Sequence, residues 1–123
     1  MEPEIRGALE RGGIIDITTT GRKSGRPHRI EIAFHHVDGK VYISGMPGRG
    51  DWYANLRRNP EFIFHLKRGS HADLPARATP ILKEAERRKL LGQIVRSWGR
   101  EQQLERFVAD SPLVEVSFIG EDA

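Results

Sequence analysis

The chain has 123 residues, 37% of them hydrophobic and 30% charged, and 20 Lys and Arg against 17 Asp and Glu give a net charge of +3. This length suits a single domain over residues 1–123, and its modest core makes a homodimer a reasonable expectation. Without Cys there is no disulfide, thiolate nucleophile or Cys-ligated metal. There is also no apolar run of the ~20 residues that span a bilayer and no apolar signal-peptide core, so we expect a cytoplasmic protein.

The first third of the chain predicts a helix and two strands. Residues 1–11 form an N-terminal arm, with a short helix over 4–11 that stops at the two glycines that follow. A β-branched apolar run predicts a strand at 14–20, and alternating apolar residues predict another at 29–37. A glycine-rich, basic turn therefore lies between two strands.

The middle of the chain predicts a hairpin, a loop and a helix. Asp38-Gly39 is a strong signal for a two-residue hairpin turn, so residues 40–44 should form the return strand. Residues 45–50 then form a second glycine-rich loop. Asp51 can cap a short helix that runs to about Arg58.

The remainder predicts two more strands and two helices before a last strand. Alternation predicts strands at 62–66 and 72–82, and Pro75 inside the second suggests an edge or a bulge. An apolar stripe over 83–98 predicts an amphipathic helix that packs in the core or against a dimer partner. A second helix is predicted over 101–109.

With a last strand at 113–119, the pattern has about six strands, mostly joined by short turns. A short helix follows the third strand and a longer helix precedes the last one. This order favours an α+β fold built on an antiparallel, barrel-like sheet over a doubly wound parallel sheet.

The basic turn is the most informative stretch. Residues 22–29 hold four Lys and Arg, one His and no acid. Glycines, hydroxyls and fixed positive charge in one place are the parts that hold a phosphate or a carboxylate. The small net charge and its local clustering favour a small anionic ligand over nucleic acid. A solvated surface turn is the alternative interpretation.

The histidines do not predict a metal site. His35 and His36 are adjacent, so on a strand they point to opposite faces. His65 and His71 flank a turn and are best explained as surface residues. Because no His, Asp or Glu spacing is typical of a metal centre, we predict no metal. The sequence also lacks the motifs of hydrolases, P-loop proteins and Rossmann folds.

Two motifs resemble the deazaflavin-dependent nitroreductase family of the split β-barrel flavin- and deazaflavin-binding superfamily. They are TTTGRKSGRP at residues 18–27 and DWYANLRRNP at residues 51–60, and the resemblance extends over about residues 12–119. It implies a split β-barrel that binds the 8-hydroxy-5-deazaflavin coenzyme F-420, which has a phosphate and an anionic oligoglutamate tail. It also implies hydride transfer to a small electrophilic acceptor such as a quinone or a nitroaromatic compound.

The resemblance places coenzyme contacts on three stretches. The basic turn would hold the tail and phosphate, while the second glycine-rich loop and the following helix would pass the phosphate and ring. We expect Trp52 to face the ligand and Tyr53 to pack. The implied coenzyme-binding residues are Arg22, Lys23, Ser24, Arg26, His28, Ser44, Gly45, Met46, Arg49, Asp51 and Trp52.

The stretch before the last strand departs from the family pattern. The family's reductases carry tyrosines there, close to the reactive ring, whereas this chain has Trp98 and Glu101. Trp98 can stack but cannot act as an acid, whereas Glu101 could do so if burial raised its pKa. The catalytic residues are therefore unassigned. Two alternatives stay open: an FMN-binding split-barrel oxidoreductase, and a non-catalytic module that binds a cofactor or another ligand.

Overall fold

The structure is a computed structural model that describes residues 1–48 and 50–121. Its elements are α1 (Pro3–Arg11), β1 (Gly13–Thr20), β2 (Pro27–Val37), β3 (Lys40–Ser44), α2 (Asp51–Arg58), β4 (Glu61–Leu66), β5 (Ala72–Pro80), α3 (Glu84–Ser97), a 3-10 turn (Glu101–Gln103), α4 (Leu104–Asp110) and β6 (Leu113–Phe118).

The six strands form a closed antiparallel barrel in the order β1-β2-β3-β6-β5-β4. Most strands pair with the strand that precedes or follows them in the chain. The β1–β4 and β3–β6 ladders join strands that are not consecutive and close the barrel. The predicted α+β barrel is confirmed, with its short helix after the third strand and its longer helix before the last. Because consecutive strands pair, the basic turn and α2 come to lie at the same end of β1.

The β2–β3 hairpin shows how local chemistry sets the register. Asp38 and Gly39 have φ angles of 52° and 81°, the positive values that a tight type I′ turn requires. The pairing Val37↔Lys40 follows directly from this two-residue turn. The sequence-based hairpin prediction is confirmed.

Two apolar cores hold the helices and the barrel together. The barrel interior is filled by side chains such as Ile15, Ile17 and Phe64, which are completely buried. A second core lies between the barrel wall and the α3–α4 pair, where Leu91 and Phe107 are also completely buried. Burial of each such side chain stabilises the fold by about 1.5–3 kcal/mol. The apolar stripe of α3 lies in this second core, so the prediction that it packs in the core is confirmed.

The predicted edge position of Pro75 is wrong. Strand β5 has neighbours on both sides, β4 and β6. The ladder with β6 begins at Ala76↔Phe118, and the Pro75 carbonyl accepts a hydrogen bond from Ile119 N at 2.9 Å. Because the N and O of a strand residue point the same way, the missing N–H of Pro75 faces the end of β6. Proline is tolerated because the ladder stops there.

Candidate functional site

A cleft of about 370 Å³ lies between the basic turn and the start of α2. We call it the basic cleft. The turn that forms one wall is closed by backbone hydrogen bonds from Gly21 N to Arg26 O at 2.8 Å and from Gly25 N to Gly21 O at 2.9 Å. The lining residues are Thr19, Gly21, Arg22, Lys23, Ser24, His28, Ile30, Asp51, Trp52 and Asn55.

Gly21 allows two polar side chains to approach the backbone closely. A Cβ atom at this buried position would lie 2.6 Å from Ser24 Oγ and 2.7 Å from His28 Nε2. Such distances are far below van der Waals contact, so only glycine leaves the hydroxyl and the imidazole where they are. A hydroxyl and an imidazole are thereby held together on one wall of the basic cleft.

Asn55 links α2 to the basic turn. Its Oδ1 accepts hydrogen bonds from Arg22 N at 3.1 Å and from Arg22 Nη1 at 2.9 Å, and its Nδ2 donates to Thr19 Oγ1 at 3.3 Å. The side chain is only 4% exposed. Asparagine is a poor helix former, so its place in α2 reflects these tertiary hydrogen bonds. Sequence reasoning missed Asn55; its position four residues after Asp51, on the same helix face, was the available signal.

Asp51 does not cap α2, contrary to the sequence-based prediction. Gly50 occupies the cap position without a side-chain hydrogen bond, and Asp51 is the first helical residue. Its carboxylate instead accepts a hydrogen bond from Arg22 Nη2 at 3.3 Å. Arg22 is thus held by an amide on one side and a carboxylate on the other. Lys23, also on the cleft wall, is exposed, so cationic side chains outnumber carboxylates there.

Trp52 gives the basic cleft an apolar wall. It is half-buried, and its indole lies so close to Gly45 that a Cβ there would come within 3.3 Å of Trp52 Cζ2. Tyr53 points elsewhere, with the Arg57 guanidinium 5.7 Å from the centre of its ring. Trp52 therefore lines the cleft and Tyr53 packs, although contact between Trp52 and a ligand stays a prediction.

Several predicted site residues lie outside the cleft lining. Ser44 is buried and donates a hydrogen bond to Pro112 O at 2.9 Å, and Gly45 N donates to the same carbonyl at 3.3 Å. Met46 is 53% exposed. Arg26 donates its backbone N–H to Ser24 Oγ at 3.1 Å and so supports the turn. Arg49 falls outside the residues that the structure describes.

Trp98 and Glu101 do not reach the basic cleft. The Trp98 ring packs edge-on against His35, with 5.1 Å between ring centres, at the opposite end of the β1–β2 hairpin. Within residues 1–48 and 50–121, His35 Nε2 is buried without a hydrogen-bond partner. Burial lowers the pKa of the His35 imidazole to about 4, so His35 is neutral at pH 7. Glu101 is exposed.

His65 is not the surface residue that the sequence predicted. It is 7% exposed, with Nδ1 2.6 Å from Asp73 Oδ1 and Nε2 2.7 Å from Thr18 Oγ1. This hydrogen bond to His65 lowers the pKa of the Asp73 carboxyl. His71 is exposed, as expected. In the described part of the chain, His, Asp and Glu side chains form no group of three or more that could hold a metal ion.

The closed antiparallel barrel and its flanking helices define a split-barrel protein, and the basic cleft lies at the start of its helix α2. Residues 2–113 match the model of the F420H2-dependent quinone reductase family, and the chain belongs to that family. The match supports the deazaflavin coenzyme and gives no support to the FMN alternative. Among the described helices, none combines the length and the apolar character needed to cross a membrane.

Solved structures share the fold at low sequence identity. A conserved hypothetical protein from Mycobacterium tuberculosis has a TM-score of 0.74 and 16% identity, over 97% of this chain and 81% of its own. A NimC/NimA family protein from Clostridium acetobutylicum has a TM-score of 0.69 and 14% identity, over 95% and 84%. HutZ, the heme storage protein from Vibrio cholerae, has a TM-score of 0.68 and 15% identity, over 99% and 91%.

Proposed function

We propose that this protein binds coenzyme F-420 in the basic cleft and passes a hydride from its reduced form to a small electrophile such as a quinone or a nitroaromatic compound. Membership of the F420H2-dependent quinone reductase family supports the choice of coenzyme. The observation that carries the location is the meeting of the basic turn and the start of α2 at one cleft.

The residues of the cleft fit the coenzyme's chemistry. Arg22, Lys23 and Ser24 offer cationic and hydroxyl groups for its phosphate, and the first N–H groups of a helix such as α2 have no partner within the helix. Trp52 and Ile30 offer an apolar surface for its ring. The cleft volume of about 370 Å³ lies within the range of small-molecule sites. The tail would extend past the exposed Lys23 and Arg26.

In this proposal the protein positions and shields, since the bound coenzyme supplies the hydride. Asn55 fixes the guanidinium of Arg22, which orients the anionic part of the ligand. The indole of Trp52 keeps water from one face of the cleft. Neither Trp98 nor Glu101 lines the cleft, so neither can donate a proton there within one chain.

A fluorescence titration tests the proposal in a Trp98→Phe background, where Trp52 is the remaining tryptophan. We expect saturable quenching by the oxidised coenzyme and much weaker quenching by FMN. The double variant Arg22→Ala/Lys23→Ala should bind the coenzyme about tenfold or more weakly, because it loses two charge-assisted contacts. The matched control Arg68→Ala/Arg96→Ala removes the same charge from exposed positions outside the cleft lining.

Binding that is equal in the two double variants would reject this location. Quenching by FMN alone would keep the fold and change the cofactor. A positive titration is followed by an assay of coenzyme oxidation with a quinone and with a nitroaromatic acceptor, where a saturable rate is expected.

A second candidate function is a non-catalytic module that holds a ligand for storage or sensing. It is supported by the placement of Trp98 and Glu101 outside the cleft lining. The likeness of the fold to the heme storage protein HutZ is compatible with it. Tight coenzyme binding without acceptor-dependent oxidation would favour this candidate.

A further inference from the structure

The guanidinium of Arg22 has a different partner on each side. Its Nη1 donates to Asn55 Oδ1 at 2.9 Å, and its Nη2 donates to Asp51 Oδ1 at 3.3 Å. A ligand that reaches Arg22 therefore meets a cation that already has an anionic partner within the chain.

The two contacts differ in how easily they are replaced. Asn55 is 4% exposed and also binds the Arg22 backbone N–H and the Thr19 hydroxyl, so it is fixed on three sides. The Asp51 side chain is 90% exposed, and among the described residues its hydrogen-bond partner is Arg22. Exposed ion pairs shift an equilibrium by at most about fivefold, so the Asp51 contact is weak.

The position of Asp51 makes it a competitor for an incoming anion. Its carboxylate lies on the cleft wall, on the same guanidinium that a phosphate of the ligand would need. A phosphate that also meets Lys23 and Ser24 gains more contacts than one carboxylate can offer. A single weak anion gains little from the exchange.

We propose that Asp51 is an internal stand-in for the ligand's anionic group on Arg22 and leaves Arg22 when a phosphate-bearing ligand binds, while Asn55 keeps the guanidinium in place. The inference rests on the proposed function for its choice of ligand. Asp51 then lowers the affinity for every ligand that reaches Arg22 and restricts the cleft to ligands with enough anionic contacts to displace it.

The central experiment compares Asp51→Asn with Glu10→Gln, a control that removes one negative charge from an exposed position outside the basic cleft. The probes are the oxidised coenzyme and inorganic pyrophosphate, followed by Trp52 fluorescence in the Trp98→Phe background. We expect Asp51→Asn to bind both probes about two- to fivefold more tightly than the parent. Glu10→Gln should change the affinity by a smaller factor, since its charge is screened by solvent.

A double-mutant cycle tests whether the effect acts through Arg22. In an Arg22→Gln background, Asp51→Asn should lose its advantage over Glu10→Gln, because the contact no longer exists. If Arg22→Gln does not fold, the cycle is run with Arg22→Lys, which keeps the charge and loses the two-sided geometry. Thermal melting of each variant checks that the fold is retained.

The outcomes separate the inference from the proposed function. Weaker binding by Asp51→Asn, or a gain no larger than that of Glu10→Gln, overturns the inference even where the coenzyme binds well. A gain for pyrophosphate with no binding of the coenzyme by any form overturns the proposed function and supports the inference. Failure of every form to bind either probe overturns both.

Discussion

The two ends of the β1–β2 hairpin handle buried polar groups in opposite ways. At the cleft end, the buried amide of Asn55 uses both its oxygen and its nitrogen in hydrogen bonds to Arg22 and Thr19. At the far end, in the described part of the chain, His35 Nε2 is buried with no partner. Each end also carries one of the two tryptophans, Trp52 and Trp98.

The difference separates the proposed binding region from a region whose stability should depend on pH. The hydrogen bonds of the buried Asn55 hold the guanidinium of Arg22 in a fixed position, which suits recognition of an anion. Burial of His35 Nε2, which has no hydrogen-bond partner among the described residues, favours the neutral imidazole. The folded protein therefore loses stability at a pH low enough to protonate an exposed histidine. Substitutions at the cleft end should therefore lower stability at every pH and weaken binding of the proposed ligand, whereas a substitution of His35 should change how stability depends on pH.

The largest expected effect comes from breaking the network at the cleft end. Asn55→Leu keeps a side chain of similar size but leaves the Thr19 hydroxyl and the Arg22 backbone N–H without their partner. Each buried group left unpaired costs about 1–3 kcal/mol, so we expect the free energy of unfolding to fall by about 2–4 kcal/mol. Urea denaturation followed by circular dichroism measures the loss.

Asn59→Leu is the matched control for this prediction. Asn59 follows the same helix and donates one long hydrogen bond, from Nδ2 to Thr20 O at 3.4 Å. We expect a loss below about 1 kcal/mol, within the range of a single ordinary hydrogen bond. Equal losses in the two variants would show that Asn55 has no special structural role.

The far end should respond to pH. The pKa of His35 is lowered from an ordinary 6.5 to about 4 in the folded protein. The unfolded chain therefore binds a proton at a higher pH than the folded chain, and His35 makes the protein less stable as the pH falls from about 6.5 to about 4. Replacement by Phe keeps a ring against Trp98 and removes the titrating group.

We expect His35→Phe to gain stability over the parent as the pH is lowered, reaching about 2 kcal/mol at pH 5. Urea denaturation at pH 8, 6.5 and 5 measures the difference between variant and parent, which cancels the titration of carboxyls such as Asp73. His71→Gln, at an exposed position, should show no comparable dependence. A constant difference between His35→Phe and the parent at all three pH values would contradict the prediction.

The elements of the barrel could be predicted from the sequence because their signals are local. Alternation identified the strands, and Asp38-Gly39 set a turn whose φ angles are dictated by those two residues. The meeting of residues 18–27 and 51–60 at one cleft was implied by the family resemblance, and the β2–β3 hairpin that lies between the two motifs brings them together.

The side-chain partners could not be predicted in the same way because they depend on tertiary contacts. His65 looked like a surface residue near a turn, yet its two partners, Thr18 and Asp73, come from the strands on either side. Asp51 is of a residue type that often caps helices, but it contacts Arg22, 29 residues away in sequence. Such contacts require the strand order and register, which the periodicity of a single strand does not contain.

The smallest expected change in stability comes from a substitution of Gly21, on the wall of the basic cleft. Gly21→Ala would bring a Cβ atom within 2.7 Å of the ends of the Ser24 and His28 side chains, which can rotate away. We expect the free energy of unfolding to fall by less than about 1 kcal/mol, the size of a modest rotamer strain. The affinity for the coenzyme should also fall, by up to about tenfold, because the two side chains would leave their positions on the cleft wall.

Gly92→Ala is the control, because Gly92 lies in α3 and a Cβ there meets nothing within 4 Å. Alanine is a better helix former than glycine, so this variant should gain about 0.5–1 kcal/mol and bind the coenzyme as the parent does. If Gly21→Ala also binds as the parent does, Ser24 and His28 do not contact the ligand, and recognition in the cleft depends on Arg22, Lys23 and Trp52.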